Sequence, residues 1–271
     1  MTDLVATWQE PVVVVSPHLD DAALSLGATI VMLARHGVTP KVVTVMANDP
    51  DSDEAAQRFD RECGFTTAQD AARGRRAEDA RACEIMGAEP VWLPLSDREH
   101  APPASDDALR EALRACLAEA GTVLIPGFPL LNVDHARVAR AAVHPAVIGS
   151  RRVGLYLEQP YGAGQLAHRA APDMRTRSRV RKVYNFALLA AVTGRRVVSE
   201  LEVPAELQAS VQSPVVWETS GVSPADWLRK QRAIGAYRSQ LEPLGPAVRT
   251  RIAAAELATR GERIAWASPA P

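Results

Sequence analysis

The segment from Val12 to Asp21, which reads VVVVSPHLDD, constrains this chain more than any other part of its sequence. Four valines and a serine are followed by a histidine and two adjacent aspartates, and a helical pattern begins at Ala22. In α/β sheets, the carboxyl end of a strand is the usual place for binding and catalytic groups. The segment therefore predicts a first strand with a functional site at its end.

His18 and Asp21 are candidate metal ligands. Both side chains can reach one ion if the backbone turns between them, and zinc accepts imidazole nitrogen and carboxylate oxygen. Asp20 is close enough to act as a base on metal-bound water, and two adjacent carboxylates repel each other unless a cation lies nearby. The alternative is that Asp20 and Asp21 only cap the following helix.

A second polar group lies in the stretch 122–143, where an apolar run passes through a Gly/Pro loop into a helical pattern. Asp134 and His135 lie at that junction. A catalytic zinc typically takes three protein ligands, so His135 completes a His/Asp/His set with His18 and Asp21. Asp134 either orients one of the histidines by a hydrogen bond or caps the helix.

Alternating apolar runs and helical patterns predict an α/β protein with a mostly parallel sheet flanked by helices. Strands are predicted over 12–16, 41–46, 90–94, 122–125, 153–157 and 196–203, and helices over 22–36, 75–86, 105–118, 225–241 and 247–259. The polar segment 48–74 is predicted to be a long loop, either a substrate lid or disordered. Right-handed crossovers would bring the ends of the first and fourth strands together at one edge.

Length and composition agree with one enzyme domain over 1–271, with a core over 1–150 that holds the metal site. A smaller mixed α/β extension over 151–271 would complete the pocket. The net charge of −1 argues against a broad nucleic-acid surface. No stretch approaches the roughly twenty apolar residues of a membrane span, and no export signal is recognisable, which predicts a cytoplasmic protein.

These motifs resemble those of the LmbE-like, or PIG-L, family of zinc-dependent N-deacetylases. The family's Pro-His-Pro-Asp-Asp segment corresponds to Pro17-His18-Leu19-Asp20-Asp21, as in a branch with leucine at the third position. Its His-Pro-Asp-His segment corresponds to Asn132-Val133-Asp134-His135. Further likeness lies in Gly27, the Arg-x-x-Glu pair Arg75 and Glu78, Met86-Gly87, the segment from Tyr156 to Tyr161, and the segment from Lys230 to Gln240.

The resemblance implies a Rossmann-like fold and the hydrolysis of an amide. Zinc, or another divalent transition metal, would be held by His18, Asp21 and His135, and Asp20 would activate the zinc-bound water. The expected substrate is a small N-acylated molecule, such as an N-acetyl sugar conjugate, a thiol-sugar conjugate or an intermediate of secondary metabolism. Neither a nucleic acid nor a membrane is an expected partner, and a homo-oligomer stays open.

Asn132 is the main departure from the family pattern, because the family usually has a histidine there that stabilises the oxyanion or acts as an acid. Asparagine can donate a hydrogen bond but cannot supply a proton, so all proton transfer would fall to Asp20. One alternative is a homologue that binds metal and ligand with weak or no catalysis. Another is a metal-free interaction domain whose aspartates only cap helices.

Several side chains are candidate substrate contacts. Arg75 can bind hydroxyl or carboxylate groups, as the resemblance implies, or belong to a solvated or salt-bridged helix face. His100 follows the third predicted strand together with Asp97 and so faces the site, unless it is a solvated loop residue. Tyr161 is a candidate pocket wall, as is Tyr237, and core packing is the alternative for both.

Overall fold

A single seven-stranded sheet lies at the centre of the computed structural model, which describes residues 8–48, 53–97, 103–164, 201–211, 215–220 and 222–267. The strands are β1 Val12–Ser16, β2 Lys41–Thr44, β3 Glu89–Trp92, β4 Thr122–Phe128, β5 Arg152–Leu157, β6 Val216–Thr219 and β7 Arg263–Ala267. Their order is β3-β2-β1-β4-β5-β7-β6. The first five pair in parallel, and β7 pairs antiparallel with β5 and β6. The predicted mostly parallel sheet is confirmed.

Helices cover both faces of this sheet. The described helices are α1 Asp21–Arg35, α2 Arg58–Glu62, α3 Ala68–Met86, α4 Asp106–Cys116, α5 Val133–Ala142, α6 Pro145–Ile148, α7 Pro224–Ile234, α8 Arg238–Leu244 and α9 Val248–Thr259. Val13 and Val15 of β1 belong to the core cluster that includes α4 and α5, whereas Val14 belongs to the cluster of α1, α3 and α7. Because successive strand residues face opposite sides, a strand covered on both faces is apolar throughout. This explains the run of valines.

The topology brings the two sequence motifs together. β1 pairs in parallel with both β2 and β4, so the segments that follow β1 and β4 leave the same edge of the sheet side by side. From this point the connection after β1 leads to β2 on one side of the sheet, and the connection after β4 leads to β5 on the other side. Open α/β sheets form their binding crevice where the connections separate in this way. The segment after β1 leads into α1, and the segment after β4 leads into α5.

The prediction of a loop over 48–74 is wrong for much of its described part. It contains α2, and α3 begins at Ala68 rather than at residue 75. Thr67 caps α3, since its side chain accepts a hydrogen bond from the Asp70 backbone N–H at 3.1 Å. Gly74 lies inside the helix, where a Cβ atom would come within 2.5 Å of the Phe65 ring. This glycine permits close packing and does not end a loop.

The C-terminal predictions also need correction. The structure places β6 and β7 in the sheet, although neither was predicted from the sequence. Residues 201–203 of the strand predicted over 196–203 are not a strand, and the rest of that prediction lies outside the described residues. The helix predicted over 225–241 is two helices, α7 and α8, because the chain turns at Gly235 and Ala236.

A buried charged network connects α7 to the middle of α1. The Lys230 ammonium contacts Glu256 and lies 2.6 Å from a carboxylate oxygen of Glu262. Glu262 also accepts hydrogen bonds from two consecutive backbone N–H groups of α1, at 2.9 and 2.7 Å. The Lys230 stem crosses α1 at Gly27, where a Cβ atom would lie 2.8 Å from Cγ of the lysine. The network therefore fixes the helix that carries Asp21 at its first turn.

Candidate metal centre and catalytic cavity

Three side chains meet where β1 and β4 end. His18 Nδ1 lies 3.3 Å from Asp21 Oδ2 and 3.1 Å from His135 Nε2. The third edge of this triangle, from Asp21 Oδ2 to His135 Nε2, is 3.2 Å. Asp21 and His135 are buried, and His18 is partly exposed. The structure thus brings together all three residues that were predicted to bind metal.

The triangle has the dimensions of one face of a tetrahedral metal site. With metal–ligand distances of about 2.1 Å, neighbouring ligand atoms in a tetrahedron lie roughly 3.4 Å apart. Two imidazole nitrogens and one carboxylate oxygen suit zinc and also iron, cobalt or nickel. Three protein ligands leave a position for water or substrate, as in catalytic sites. The side chains therefore fit a divalent transition-metal ion.

Carboxylates face the outer nitrogens of both histidines, in hydrogen-bond contact at His135 and at a longer distance at His18. Glu158 contacts His135 Nδ1 through one oxygen and accepts a hydrogen bond from the Leu130 backbone N–H at 2.9 Å through the other. Asp134 Oδ2 lies 3.9 Å from His18 Nε2. Such partners favour the tautomer whose inner nitrogen is free to bind an ion. Sequence reasoning gave Glu158 no role, although its position at the end of β5, beside β4, pointed to this edge of the sheet.

The acidic surroundings make the triangle a strong acceptor of positive charge. Burial acts to lower the pKa of His18, but the carboxylates of Asp134 and Asp21 outweigh it and raise that pKa to about 9. Burial is likewise outweighed at His135, where Asp21 and Glu158 raise the pKa to about 10. Metal binding must displace these protons, so metal affinity is expected to fall as the pH falls.

Asp20 lies in the same cavity, and its carboxylate does not cap α1. Asp20 is the N-cap residue, yet its side chain makes no capping hydrogen bond. Ser16 Oγ instead accepts a hydrogen bond from the Ala22 backbone N–H at 3.0 Å. Burial and the neighbouring charge of Asp21 raise the pKa of Asp20 to about 7. The alternative of a helix cap is therefore wrong for Asp20, whose carboxylate is placed to exchange protons near neutral pH.

Asn132, rather than Asp134, caps α5. Asn132 Oδ1 accepts a hydrogen bond from the Asp134 backbone N–H at 2.8 Å. Asp134 Oδ1 is buried and has no hydrogen-bond partner among the described residues, while its other oxygen faces His18. Tyr161 lies edge-on to the His135 ring, with the centroids 5.5 Å apart at 89°. Burial raises the pKa of Tyr161, and a hydrogen bond from Asn132 acts in the opposite direction.

The other predicted substrate contacts have different surroundings. Arg75 lines the cavity but is 8% exposed, so it does not belong to a solvated helix face. Its guanidinium lies 3.1 Å from Asp60 Oδ1 and donates to Gln240 Oε1 at 3.2 Å. Tyr237 is a core residue, and His100 lies outside the described residues. The cavity wall also includes Leu24, Phe59, Asp97, Pro160 and Leu244.

Replacing Glu158 with glutamine is expected to weaken metal binding by about 10- to 100-fold, because His135 loses the charged partner of its outer nitrogen. The amide oxygen of glutamine can still accept the Leu130 N–H bond, so the loop should keep its conformation. Metal affinity can be measured by competition with a chromophoric chelator. Wild-type affinity in this variant would mean that Glu158 does not tune the histidine.

A His/Asp/His triangle beside an aspartate that caps nothing, at the crevice of a parallel sheet, is the arrangement of a metal-dependent hydrolase. Comparison with protein families agrees with this class. Residues 13–146 match the family described as PIG-L: GlcNAc-PI de-N-acetylase. The chain carries a PIG-L family domain, and the resemblance predicted from the sequence is confirmed.

Several solved structures share the fold. The A40926 pseudoaglycone deacetylase Dbv21 is 23% identical with a TM-score of 0.69, and the match covers 94% of this chain and 96% of that chain. A deacetylase–bog complex from teicoplanin biosynthesis is 21% identical with a TM-score of 0.70, covering 96% and 98%. The zinc-inhibited form of teicoplanin deacetylase Orf2 is 20% identical with a TM-score of 0.69, also covering 96% and 98%.

A search of curated proteins found no match to this chain. At the low sequence identities of the solved structures, the structural likeness shows that they share the fold of this chain. Among the helices in the described part of the chain, none combines the length and apolarity needed to cross a bilayer. The cytoplasmic location and any homo-oligomer stay predictions.

Proposed function

We propose that this protein is a metal-dependent N-deacetylase that hydrolyses an N-acyl amide, in the simplest case an N-acetyl group. The observation that carries the proposal is the ligand triangle of His18, Asp21 and His135, which opens into the same cavity as Asp20. Asp20 is the candidate for proton transfer, since it lines the cavity and neither completes the triangle nor caps a helix. The PIG-L domain supports the same reaction class.

The proposed chemistry divides between an ion and the side chains around it. A divalent ion held by the triangle supplies Lewis acidity, which polarises an acyl carbonyl and acidifies water. Asp20 accepts a proton from the attacking water and returns it to the leaving amine nitrogen. Glu158 holds His135 in the orientation that leaves its inner nitrogen free, and the charge of Asp134 faces the outer nitrogen of His18.

For the substrate, we propose an amino sugar that is N-acylated and belongs to a conjugate or natural product. The structures of the same fold include a deacetylase–teicoplanin complex, at 20% identity and a TM-score of 0.67, covering 96% of this chain and 99% of that chain. Arg75 and Asp97 line the same cavity as the metal-binding residues, and their polar groups suit a substrate with hydroxyl groups. Zinc is the proposed ion.

A second candidate function is metal and ligand binding without efficient turnover. The observation that favours it is the use of Asn132 Oδ1 as a helix cap at the position where the family usually has histidine. This candidate predicts a bound ion and measurable ligand affinity, with no release of amine. Both candidate functions require the ligand triangle to bind a metal ion, and they differ in whether the bound substrate is hydrolysed.

Metal removal and restoration tests the proposed function. The purified protein is treated with a chelator, divided, and reloaded with zinc, cobalt or nickel before assay on a panel of N-acetylated amino-sugar conjugates. We expect amine release to fall to background after chelation and to return with one equivalent of metal. Release that persists without metal would refute the proposed chemistry. Full metal loading without release from any member of the panel would favour the second candidate.

A further inference from the structure

We propose that Asp60 determines the charge selectivity of the catalytic cavity. By balancing the charge of Arg75, it leaves this arginine as a directional hydrogen-bond donor and makes the site favour neutral conjugates over anionic ones. The inference deepens the proposed function and rests on it, because it concerns which N-acylated conjugates are accepted. No sequence pattern marks Asp60, and the sequence leaves both hydroxyl and carboxylate groups open as partners of Arg75.

Asp60 and Arg75 form a buried ion pair. Arg75 Nη1 lies 3.1 Å from Asp60 Oδ1, and both residues are buried. A second hydrogen bond, from Arg75 Nε to Gln240 Oε1 at 3.2 Å, fixes the plane of the guanidinium. In the described part of the chain, Nη2 makes no hydrogen bond. Because the charges of the pair cancel, Arg75 offers a ligand the protons of this nitrogen and little net charge.

Packing of α2 and the residues after it against α3 fixes Asp60 beside the arginine. The Phe59 ring lies under the guanidinium, with 5.3 Å between Arg75 Cζ and the ring centroid. After α2, the Phe65 ring packs so closely against Gly74 that a Cβ atom would not fit between them. The Phe65 backbone N–H also donates to the Asp60 carbonyl at 3.0 Å. The ion pair is therefore part of the contact between these segments.

Arg75 lines two cavities. One is the catalytic cavity, and the other is lined by Asp60 and by the ends of β2 and β3. Asp97 lines both cavities as well. Among the described residues that line either cavity, Arg75 is the one arginine or lysine, whereas several are carboxylates. A substrate group beside Arg75 therefore meets a balanced ion pair with further carboxylates nearby.

A hydroxyl group suits these surroundings better than an anion does. It can accept a hydrogen bond from Arg75 Nη2 and donate one to a carboxylate of the cavity wall. A carboxylate or phosphate group would meet a cation whose charge Asp60 has already balanced, and would be repelled by the other carboxylates. Asp21 and Asp134 likewise balance the charge of a divalent ion at the ligand triangle. The ligand class is a conjugate with hydroxyl groups and without an anionic group near the acylated amine.

The experiment compares two glycosides of N-acetylglucosamine on the zinc-loaded protein. One carries a 2-hydroxyethyl group at the anomeric oxygen and the other a carboxymethyl group, so they are similar in size and differ by one negative charge. We expect the wild type to have the higher kcat/KM for the hydroxyethyl glycoside. Asp60→Asn keeps an oxygen that can accept the bond from Arg75 and removes the charge. It should shift the ratio of kcat/KM values toward the carboxymethyl glycoside by about 10-fold.

A charge cycle separates the electrostatic effect from packing. Arg75→Gln should shift the ratio by about 10-fold in the opposite direction, because it leaves the charge of Asp60 unbalanced. Combining it with Asp60→Asn should return the ratio to within about 3-fold of the wild-type value, since both charges are then removed. Glu62→Gln removes a charge from an exposed position of α2 and should change the ratio by less than about 2-fold. If Asp60→Asn alone does not fold, the double variant compared with Arg75→Gln measures the same charge.

Binding to the metal-free protein gives a readout without turnover. The dissociation constants of the two glycosides, measured by calorimetry, should change in opposite directions in Asp60→Asn and Arg75→Gln. Ratios unchanged by removal of the Asp60 charge, shifts of the same sign in the two single variants, or a wild type that prefers the carboxymethyl glycoside would overturn the inference. If the wild type releases no amine, the proposed function fails, and the binding ratios still decide the inference. Binding of neither glycoside would refute it.

Discussion

Asp20→Asn is expected to lower kcat by about 1000-fold while the metal content stays at the wild-type level. Asparagine has nearly the shape of aspartate but cannot accept the proton of the attacking water at neutral pH. Asp20 makes no capping hydrogen bond to α1, so its replacement should leave the fold intact. The measurements are kcat for amine release and the metal content by mass spectrometry.

The adjacent aspartate provides a matched control for this variant. Asp21→Asn removes a carboxylate from the ligand triangle, so it should lose both metal and activity. The two variants differ by one position in the chain and make the same chemical change, yet only one should change metal content. Activity within a few-fold of wild type in Asp20→Asn would contradict the assignment of the base.

Lys230→Met is expected to reduce the free energy of unfolding by about 3–5 kcal/mol, because it leaves buried carboxylates without their cation. Lys230 is fully buried between Glu256 and Glu262, and methionine has a similar shape without the charge. Burial already raises the pKa of Glu256, and the lysine charge opposes that shift. Urea unfolding followed by circular dichroism measures the difference.

Two further variants test whether the lost charge is the cause. Arg232→Met makes a similar change on the same helix at an exposed position and should alter stability by no more than about 0.5 kcal/mol. Adding Glu256→Gln to Lys230→Met should recover part of the loss, since fewer unpaired charges remain. If Lys230→Met unfolds at the wild-type urea concentration, the network does not stabilise α1.

The part of the fold that the sequence predicted best is the part with the simplest periodicity. β1 is buried on both faces and reads as a run of valines, and α1 follows with a continuous apolar pattern. These two elements place His18, Asp20 and Asp21, so the first half of the site could be located directly. His135 could be added because catalytic metal sites need a third ligand and because β4 ends beside β1.

The parts that were missed depend on contacts between segments distant in sequence. Glu158 acquires its role from His135, and no local pattern marks that pairing. The cap of α1 comes from Ser16 rather than from the aspartates that local preference favours. The Phe65 ring packs so closely against Gly74 that it leaves no room for a Cβ atom, although glycine usually indicates a helix end. In each case tertiary packing overrides a sound local preference.

The most direct test of the account is the amount of carboxylate and of amine that the zinc-loaded wild type and Asp20→Asn release from one N-acetylated amino-sugar conjugate. We expect equal amounts of acetate and free amine from the wild type, over many turnovers per chain. Asp20→Asn, with the same metal content, should release almost none. Equal release by the two proteins, or release of neither product by a fully loaded wild type from any conjugate tested, would contradict it.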